Sequence, residues 1–293
     1  MKSIRNKVTV ITGASSGIGR AAAYEFARKG ARTVLASRRA EELENIRADL
    51  EKEGIRALIV PTDVTDPSQI KRLFSAAMEQ FGRVDVLVNN AGVGLMGSFT
   101  ETPVEDARKM FEVNFFAAAQ VMKAALAAME HQGSGVIINV ASTAGVLPTA
   151  YVPYYGASKA ALLSLSESAN LEYMGKGIRV VAFCPHVTQT DFSAAAKCEG
   201  RYRNPVLFGH PISRGRRTER LVRILSLTSG GPFRPIPAEQ VAEKLVRAAL
   251  KSKPLVILGG FATRGLVAKV LFPPWFYAVA KACRKLMDVE NPE

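Results

Sequence analysis

Val8-Thr9-Val10-Ile11-Thr12-Gly13-Ala14-Ser15-Ser16-Gly17-Ile18-Gly19 decides the fold. Its first four residues are apolar or β-branched and form a short run suited to a buried strand. A glycine-rich turn follows. Arg20 to Lys29 then reads as a helix that stops at Gly30. Strand, glycine turn and helix N-terminus together make an anion site. The glycines let main chain approach a pyrophosphate, and the first helical turn offers unpaired N–H groups at the positive end of the dipole. A glycine turn alone is a weak signal; one set inside a strand–turn–helix unit is much stronger.

Outward from this unit the pattern repeats. Thr33–Ala36, Ala57–Val60, Val84–Asn89, Gly135–Asn139, Ile178–Phe183 and Leu255–Leu258 read as further strands. Segments 17–29, 40–53, 67–81, 103–131, 154–175 and 238–251 between them read as helices. Such alternation implies a doubly wound parallel α/β sheet, a Rossmann fold in three α/β/α layers. The chain has 293 residues, enough for one large domain. We expect that domain over residues 1–260, with an insertion at 191–236 that breaks the alternation, and an apolar and basic extension over 261–293.

A second constellation lies further along. Tyr155 and Lys159 stand four residues apart, on one face of a helix, and Ser142 precedes them. A free phenol, with a pKa of about 10, is a poor acid and base at neutral pH. A lysine one turn away is expected to favour the phenolate and lower that value. A serine hydroxyl from a neighbouring segment can hold the oxygen that gains or loses the proton. Tyr154 is five residues from Lys159 and points elsewhere, as packing or as a substrate wall.

These motifs together resemble the short-chain dehydrogenase/reductase family, core type. Thr12, Gly13, Gly17 and Gly19 match its T-G-x-x-x-G-x-G turn, and Asn89-Asn90-Ala91-Gly92 its N-N-A-G segment. Asn114, Ser142, Tyr155 and Lys159 match its catalytic tetrad. The resemblance spans roughly residues 5 to 260 and implies a sheet of about seven strands. It also implies hydride transfer between a nicotinamide and a carbonyl or alcohol carbon. In that chemistry Tyr155 is the acid or base, Ser142 orients the oxygen, and Lys159 tunes Tyr155 and holds the nicotinamide ribose. Asn114 holds a water that links Lys159 to solvent.

The resemblance extends the cofactor site beyond Gly13, Ser15, Ser16, Gly17, Ile18 and Gly19. Asp63 and Val64 would touch the adenine, Asn90, Ala91 and Gly92 the ribose and nicotinamide side, and Pro185, Thr188 and Thr190 the carboxamide region. A structural reading of Asp63, as cap of the helix after Pro67, stays open. Asn89 reads as a brace of the central strands. Where the second strand ends, Ser37-Arg38-Arg39 replaces the acidic residue that would accept from a ribose and repel a 2′-phosphate. Guanidinium groups pair with phosphate, so NADP(H) is expected over NAD(H). In one respect the chain departs from the pattern. His186 stands where a glycine follows the proline, and an imidazole there either packs or donates a hydrogen bond to an anionic substrate group.

Charge is uneven. Residues 1–190 carry 21 lysines and arginines against 18 acidic residues, and residues 191–293 carry 18 against 8. The insertion holds Arg201, Arg203, Arg214, Arg216, Arg217, Arg220 and Arg223 around a short helical stretch at 218–227. By resemblance it forms the lid over the substrate. No nucleic-acid-binding signature accompanies the basic residues, so an anionic substrate, an anionic membrane surface or a solvated face accounts for them better. The apolar run Val270 to Ala280 is too short to span a bilayer and is broken by Pro273-Pro274. Its aromatics and flanking Lys269, Lys281, Arg284 and Lys285 suit a peripheral membrane element; packing on the substrate pocket or on a second subunit is the competing reading.

Three widely spaced cysteines suggest neither a disulfide framework nor a metal site. No apolar leader precedes the first strand, so a reducing, cytoplasmic setting is expected. The expected function is an NADP(H)-dependent oxidoreductase for a hydrophobic or lipid-like ketone or secondary alcohol, working as a homodimer or homotetramer. Its rivals are a non-enzymatic NADP(H) sensor and a membrane-peripheral binding protein on the same fold. An epimerase or dehydratase is disfavoured by the turn spacing and by the short C-terminal part.

Overall fold

Seven strands pair in one parallel sheet in the computed structural model, which describes residues 1–198, 235–251 and 253–288. They are β1 (Val8–Thr12), β2 (Arg32–Ser37), β3 (Ala57–Pro61), β4 (Val86–Asn89), β5 (Gly135–Val140), β6 (Ile178–Cys184) and β7 (Leu255–Ile257). Their spatial order is β7-β6-β5-β4-β1-β2-β3. Strand order therefore reverses between β1 and β4, which opens a crevice at the C-terminal ends of those two strands.

The side-chain period of two sorts each strand between two cores. Ile11, Leu35, Val88, Ile138 and Phe183 face helices α1 (Gly17–Arg28), α2 (Ala40–Lys52) and α7 (Ala238–Leu250), where Phe26, Leu43, Ile46, Val241 and Leu245 meet them. Val10, Val34, Leu87, Ile137 and Val180 face the opposite way. There they meet Ile70, Leu73 and Phe74 of α3 (Pro67–Phe81), and Val121, Met122 and Met129 of α5 (Ala118–Gln132). Most of these residues have no exposure at all, and each such Leu, Ile or Phe contributes roughly 2–3 kcal/mol by burial.

Local chemistry sets the element ends. Asp66, not Asp63, caps α3: its Oδ1 accepts from Ser68 N at 2.8 Å, with Pro67 in the first turn. Asp63 instead accepts from the N–H and hydroxyl of Thr65, at 2.9 and 2.7 Å. The helix expected over 103–131 is interrupted. α4 (Val104–Phe111) and α5 are joined by a π-helical segment, Glu112–Ala117, with Asn114 inside it. Period alone cannot register one extra residue in a turn, although such bulges gather at functional sites. α6 (Pro153–Tyr173) covers most of the expected 154–175, with Pro153 opening its first turn.

The insertion is fastened at both ends by short parallel pairings. Lys197–Cys198 pairs with Leu95–Met96, and Ile236–Pro237 with Thr188–Gln189. The arginine cluster and the helical stretch at 218–227 lie outside the described residues. The C-terminal segment is helical on both sides of its prolines, as α8 (Gly260–Leu271) and α9 (Pro273–Asp288). Ala262 and Phe276 are buried against Leu147.

Candidate active site

The glycine turn joins β1 to α1 at the crevice. Thr12 ends β1, and its Oγ1 accepts from the N–H groups of Asn90 and Ala91, at 3.0 and 3.1 Å. The Asn90 side chain donates back to the carbonyls of Thr12 and Gly13. These bonds lock the ends of β1 and β4 together. Gly17 holds a left-handed φ of 52°, and a Cβ there would press on Thr190 at 3.2 Å. At Gly19 a Cβ would collide with the Gly13 carbonyl. Ser16 occupies the N-cap of α1, but its side chain makes no capping bond. The first turn, which contains Ile18, thus keeps its N–H groups for another acceptor.

Beside this turn lies the end of β2. Ser37 is buried, and its Oγ accepts from Arg39 N at 3.2 Å. The Arg39 guanidinium reaches back to the turn and donates twice to Ser15 Oγ, at 3.1 and 2.9 Å. Arg38 is exposed. Asp63 at the end of β3 stays below the usual carboxylate range, chiefly through the Thr65 hydrogen bonds and also through the Arg38 charge. Val64 is buried behind it. Ser15, Ser37, Arg38, Arg39 and Asp63 thus form one polar rim that is basic on balance.

Across the crevice the structure brings Asn114, Ser142, Tyr155 and Lys159 together. Ser142 follows β5 and caps the turn Thr143–Gly145 by accepting from Ala144 N at 3.1 Å. Its hydroxyl also faces the Tyr155 phenol and works to lower that group's pKa. Lys159 is 4% exposed and donates to the Val140 carbonyl at 2.9 Å. Asn114 is fully buried. Its Oδ1 accepts from Val93 N at 2.8 Å, and its Nδ2 donates to Val93 O at 2.9 Å and Ser158 Oγ at 3.2 Å. Ser158 in turn donates to the Tyr155 carbonyl at 2.8 Å. Gly92 closes the group: a Cβ there would lie 3.0 Å from Asn114 Oδ1 and 3.4 Å from Lys159 Nζ.

The electrostatics correct one expectation. Burial pushes the Tyr155 phenol up to about 12, with the Ser142 hydroxyl opposing it. Lys159 does not pull it down. The Lys159 ammonium lies 6.0 Å from the phenol ring centroid, turned toward Val140, and its own pKa falls to about 8 through burial. Four residues of helical spacing bring the two side chains together, but where the ammonium points depends on a carbonyl from another strand. Tyr155 therefore rests as a neutral phenol, in the form that donates a proton.

On the far side, Pro185 accepts from Thr143 N at 3.0 Å, so the segment after β6 leans on the Ser142 turn. His186 packs between Thr143, whose Oγ1 is 3.4 Å from Nδ1, and Gly259, where a Cβ would be 3.5 Å away. Thr188 donates to the His186 carbonyl at 2.8 Å, and Thr190 touches Gly17. Tyr154 stacks on Phe99 at 5.6 Å and belongs to a cluster with Leu95, Ala107 and Met110.

Three neighbours of the site escaped sequence reasoning. Phe192 packs its ring 5.8 Å from that of Tyr155. Ser158 links Asn114 to Tyr155. Cys184 is buried beside Ser142 and Lys159, its thiol pushed up to about 12 by burial. Position at a strand end next to Pro185 was the one signal for Cys184, and a lone aromatic after Thr190-Asp191 carried none. Met96, Val152, Ala196 and Tyr155 cluster together, so the phenol borders an apolar wall.

A family model described as short chain dehydrogenase matches residues 7–199. An uncharacterized oxidoreductase of Staphylococcus aureus (strain MW2) is 34% identical over 195 residues, which is 67% of this chain and 84% of that protein. One from Staphylococcus epidermidis is 36% identical over 207 residues, 69% of this chain and 89% of its own length. Among solved structures, an actinorhodin polyketide ketoreductase with NADPH is 29% identical with a TM-score of 0.74, over 89% of this chain and 99% of that one. A short chain dehydrogenase/reductase from Burkholderia phymatum in complex with NAD is 27% identical with a TM-score of 0.72, over 100% and 98%.

Proposed function

The chain belongs to the short-chain dehydrogenase/reductase family, and from that premise we propose an NADP(H)-dependent oxidoreductase that interconverts a hydrophobic ketone and a secondary alcohol. The observation that carries this reading is the convergence of Ser142, Tyr155, Lys159 and Gly92 at the crevice that the glycine turn also faces.

The residues present fit a dinucleotide. The first turn of α1 is uncapped by side chains, the approach at Gly19 has no room for a Cβ, and Ser15, Ser16 and Gly17 line the same turn. Ser37 and Arg38 would hold a 2′-phosphate, with Arg39 in support; Asp63 and Val64 would border the adenine. Asn90, Ala91 and Gly92 would flank the ribose, and Pro185, Thr188 and Thr190 the carboxamide. A bound nicotinamide supplies or accepts the hydride.

The chain's own groups manage the oxygen and its proton. Ser142 donates a hydrogen bond to the substrate oxygen and fixes its direction. Tyr155, neutral at pH 7, donates the proton as negative charge develops on that oxygen. Lys159, held by the Val140 carbonyl, keeps a positive charge within the site below pH about 8 and would hold the nicotinamide ribose. Asn114 positions this group through Ser158 and Val93. The substrate is read as hydrophobic or lipid-like from the wall of Met96, Val152, Ala196 and Phe192. His186 and Tyr154 are its further contacts. The active form is a homo-oligomer in the cytoplasm, with peripheral membrane contact through the C-terminal segment.

The test is a screen of aliphatic, steroid and acyl ketones against NADPH and NADH. A substrate with a higher kcat/KM for NADPH, with Tyr155→Phe abolishing turnover while NADPH still binds, supports the reading. Equal kcat/KM for the two cofactors, or substantial turnover by Tyr155→Phe, overturns it.

A further inference from the structure

The apolar residues of the C-terminal segment divide into two sets. Ala262, Leu266 and Phe276 point inward onto Leu147, and at Gly265 a Cβ would press on Leu147 at 2.7 Å. Val267, Val270, Leu271, Phe272, Trp275 and Tyr277 are 51–67% exposed. On α8 the outward set recurs at Val267, Val270 and Leu271, a helical stripe. Past Leu271 the prolines turn the chain, so Leu271, Phe272 and Trp275 gather at the corner between α8 and α9. Six exposed large apolar side chains within residues 267–277, three of them at the corner, are far from the scattered exposed residue of an ordinary surface.

We infer that the α8–α9 corner docks on an anionic phospholipid bilayer and inserts Leu271, Phe272 and Trp275 below the headgroups. Charge selects this occupant. Lys269 lies in the last turn of α8 and Lys281 one turn beyond Tyr277, and residues 260–281 contain three basic and no acidic residues. Two copies of this basic, acid-free corner repel each other face to face, whereas an anionic surface attracts them. Aromatic rings between an apolar tip and flanking lysines match the interfacial zone of a bilayer. Among the described residues no helix is long and apolar enough to cross a membrane, so the element lies in the interface.

The corner is also joined to the site. α8 rests on Leu147, and the turn Thr143–Gly145 between Leu147 and Ser142 packs on α6 at Lys159 and Ala160. Docking therefore brings the Ser142 side of the crevice to the lipid. This purpose rests on the proposed hydrophobic substrate; the docking itself does not.

Trp275 is the chain's only tryptophan and reports directly. The full chain is titrated with vesicles of phosphatidylcholine alone, and of phosphatidylcholine with phosphatidylglycerol. Expected is a blue shift of Trp275 emission with the anionic vesicles, quenching by bromine-labelled acyl chains, and weakening as salt screens the lysines. Leu271→Asp with Phe272→Asp keeps the tryptophan and is expected to weaken vesicle binding at least about ten-fold. Unchanged emission with both vesicles overturns the inference, as does equal binding by the double variant. So does emission already blue without lipid that reddens on dilution, because a second copy then covers the corner. NADPH binding by calorimetry, run on the same protein, separates failure here from failure of the proposed function.

Discussion

Lys159 donates its ammonium to the carbonyl of Val140, the last residue of β5, at 2.9 Å. This bond fixes the amine between strand and helix in a place with 4% exposure, and the site's electrostatics follow from it. The ammonium is held charged at neutral pH where burial disfavours charge, so the group is poised and costly at once.

The first consequence concerns stability. A fall from 10.5 to about 8 corresponds to roughly 3 kcal/mol of disfavoured charge below pH 8. The lost Val140 bond returns about 1 kcal/mol of that in a Lys159→Met variant. The variant is expected to be more stable than the parent at pH 7, by a few degrees in Tm, while losing turnover. Between pH about 8 and 10.5 the unfolded parent binds a proton that the folded parent lacks, so parent stability rises with pH there and the advantage shrinks. Thermal denaturation across pH measures both.

The second is a pH profile. Loss of the Lys159 charge removes the cation that the proposed hold on the nicotinamide ribose uses. We expect kcat/KM for carbonyl reduction to fall above pH about 8. A plateau extending to pH 10 would exclude this role for Lys159.

Gly92→Ala places a methyl group 3.0 Å from Asn114 Oδ1 and 3.4 Å from Lys159 Nζ. Relief requires both groups to shift by a few tenths of an ångström. A loss of at least about ten-fold in kcat is expected from the displaced amine, with a stability cost of about 1–3 kcal/mol. Steady-state kinetics beside urea unfolding separates the two.

The central strands are braced by a buried polar chain. Asn89 Nδ2 donates to Asn139 Oδ1 at 2.9 Å, and Asn139 Nδ2 donates to Ser166 Oγ at 2.9 Å, which donates to Leu162 O. Asn139→Ala removes the middle of this chain and leaves a cavity. A loss of roughly 2–4 kcal/mol is expected from urea unfolding.

Cofactor choice is tested at Ser37. Ser37→Asp keeps an acceptor for Arg39 N and introduces a charge that repels a 2′-phosphate. The ratio of kcat/KM for NADPH over NADH is expected to drop at least about ten-fold. An unchanged ratio would remove Ser37 from the cofactor site.

Local chemistry made most of the frame legible. The β-branched runs, the glycine turn and the Tyr155–Lys159 spacing each act over a few residues, so sequence by itself determined the strand–helix alternation, the parallel sheet and the family. It also marked Ser142, Asn114 and Asp63 for attention. Tertiary structure decided what those residues do with their polar atoms. Asp63 turned to Thr65 while Asp66 took the cap. Asn114 entered a π turn and tied itself to Val93 and Ser158. Lys159 turned its charge to Val140 and left the phenol high. It also sorted the C-terminal apolar residues into a set packed on Leu147 and a set facing outward. Propensity and period are properties of neighbours along the chain. Desolvation, hydrogen-bond competition and the exposure of a helix face depend on which distant segments arrive, and only the folded chain fixes those.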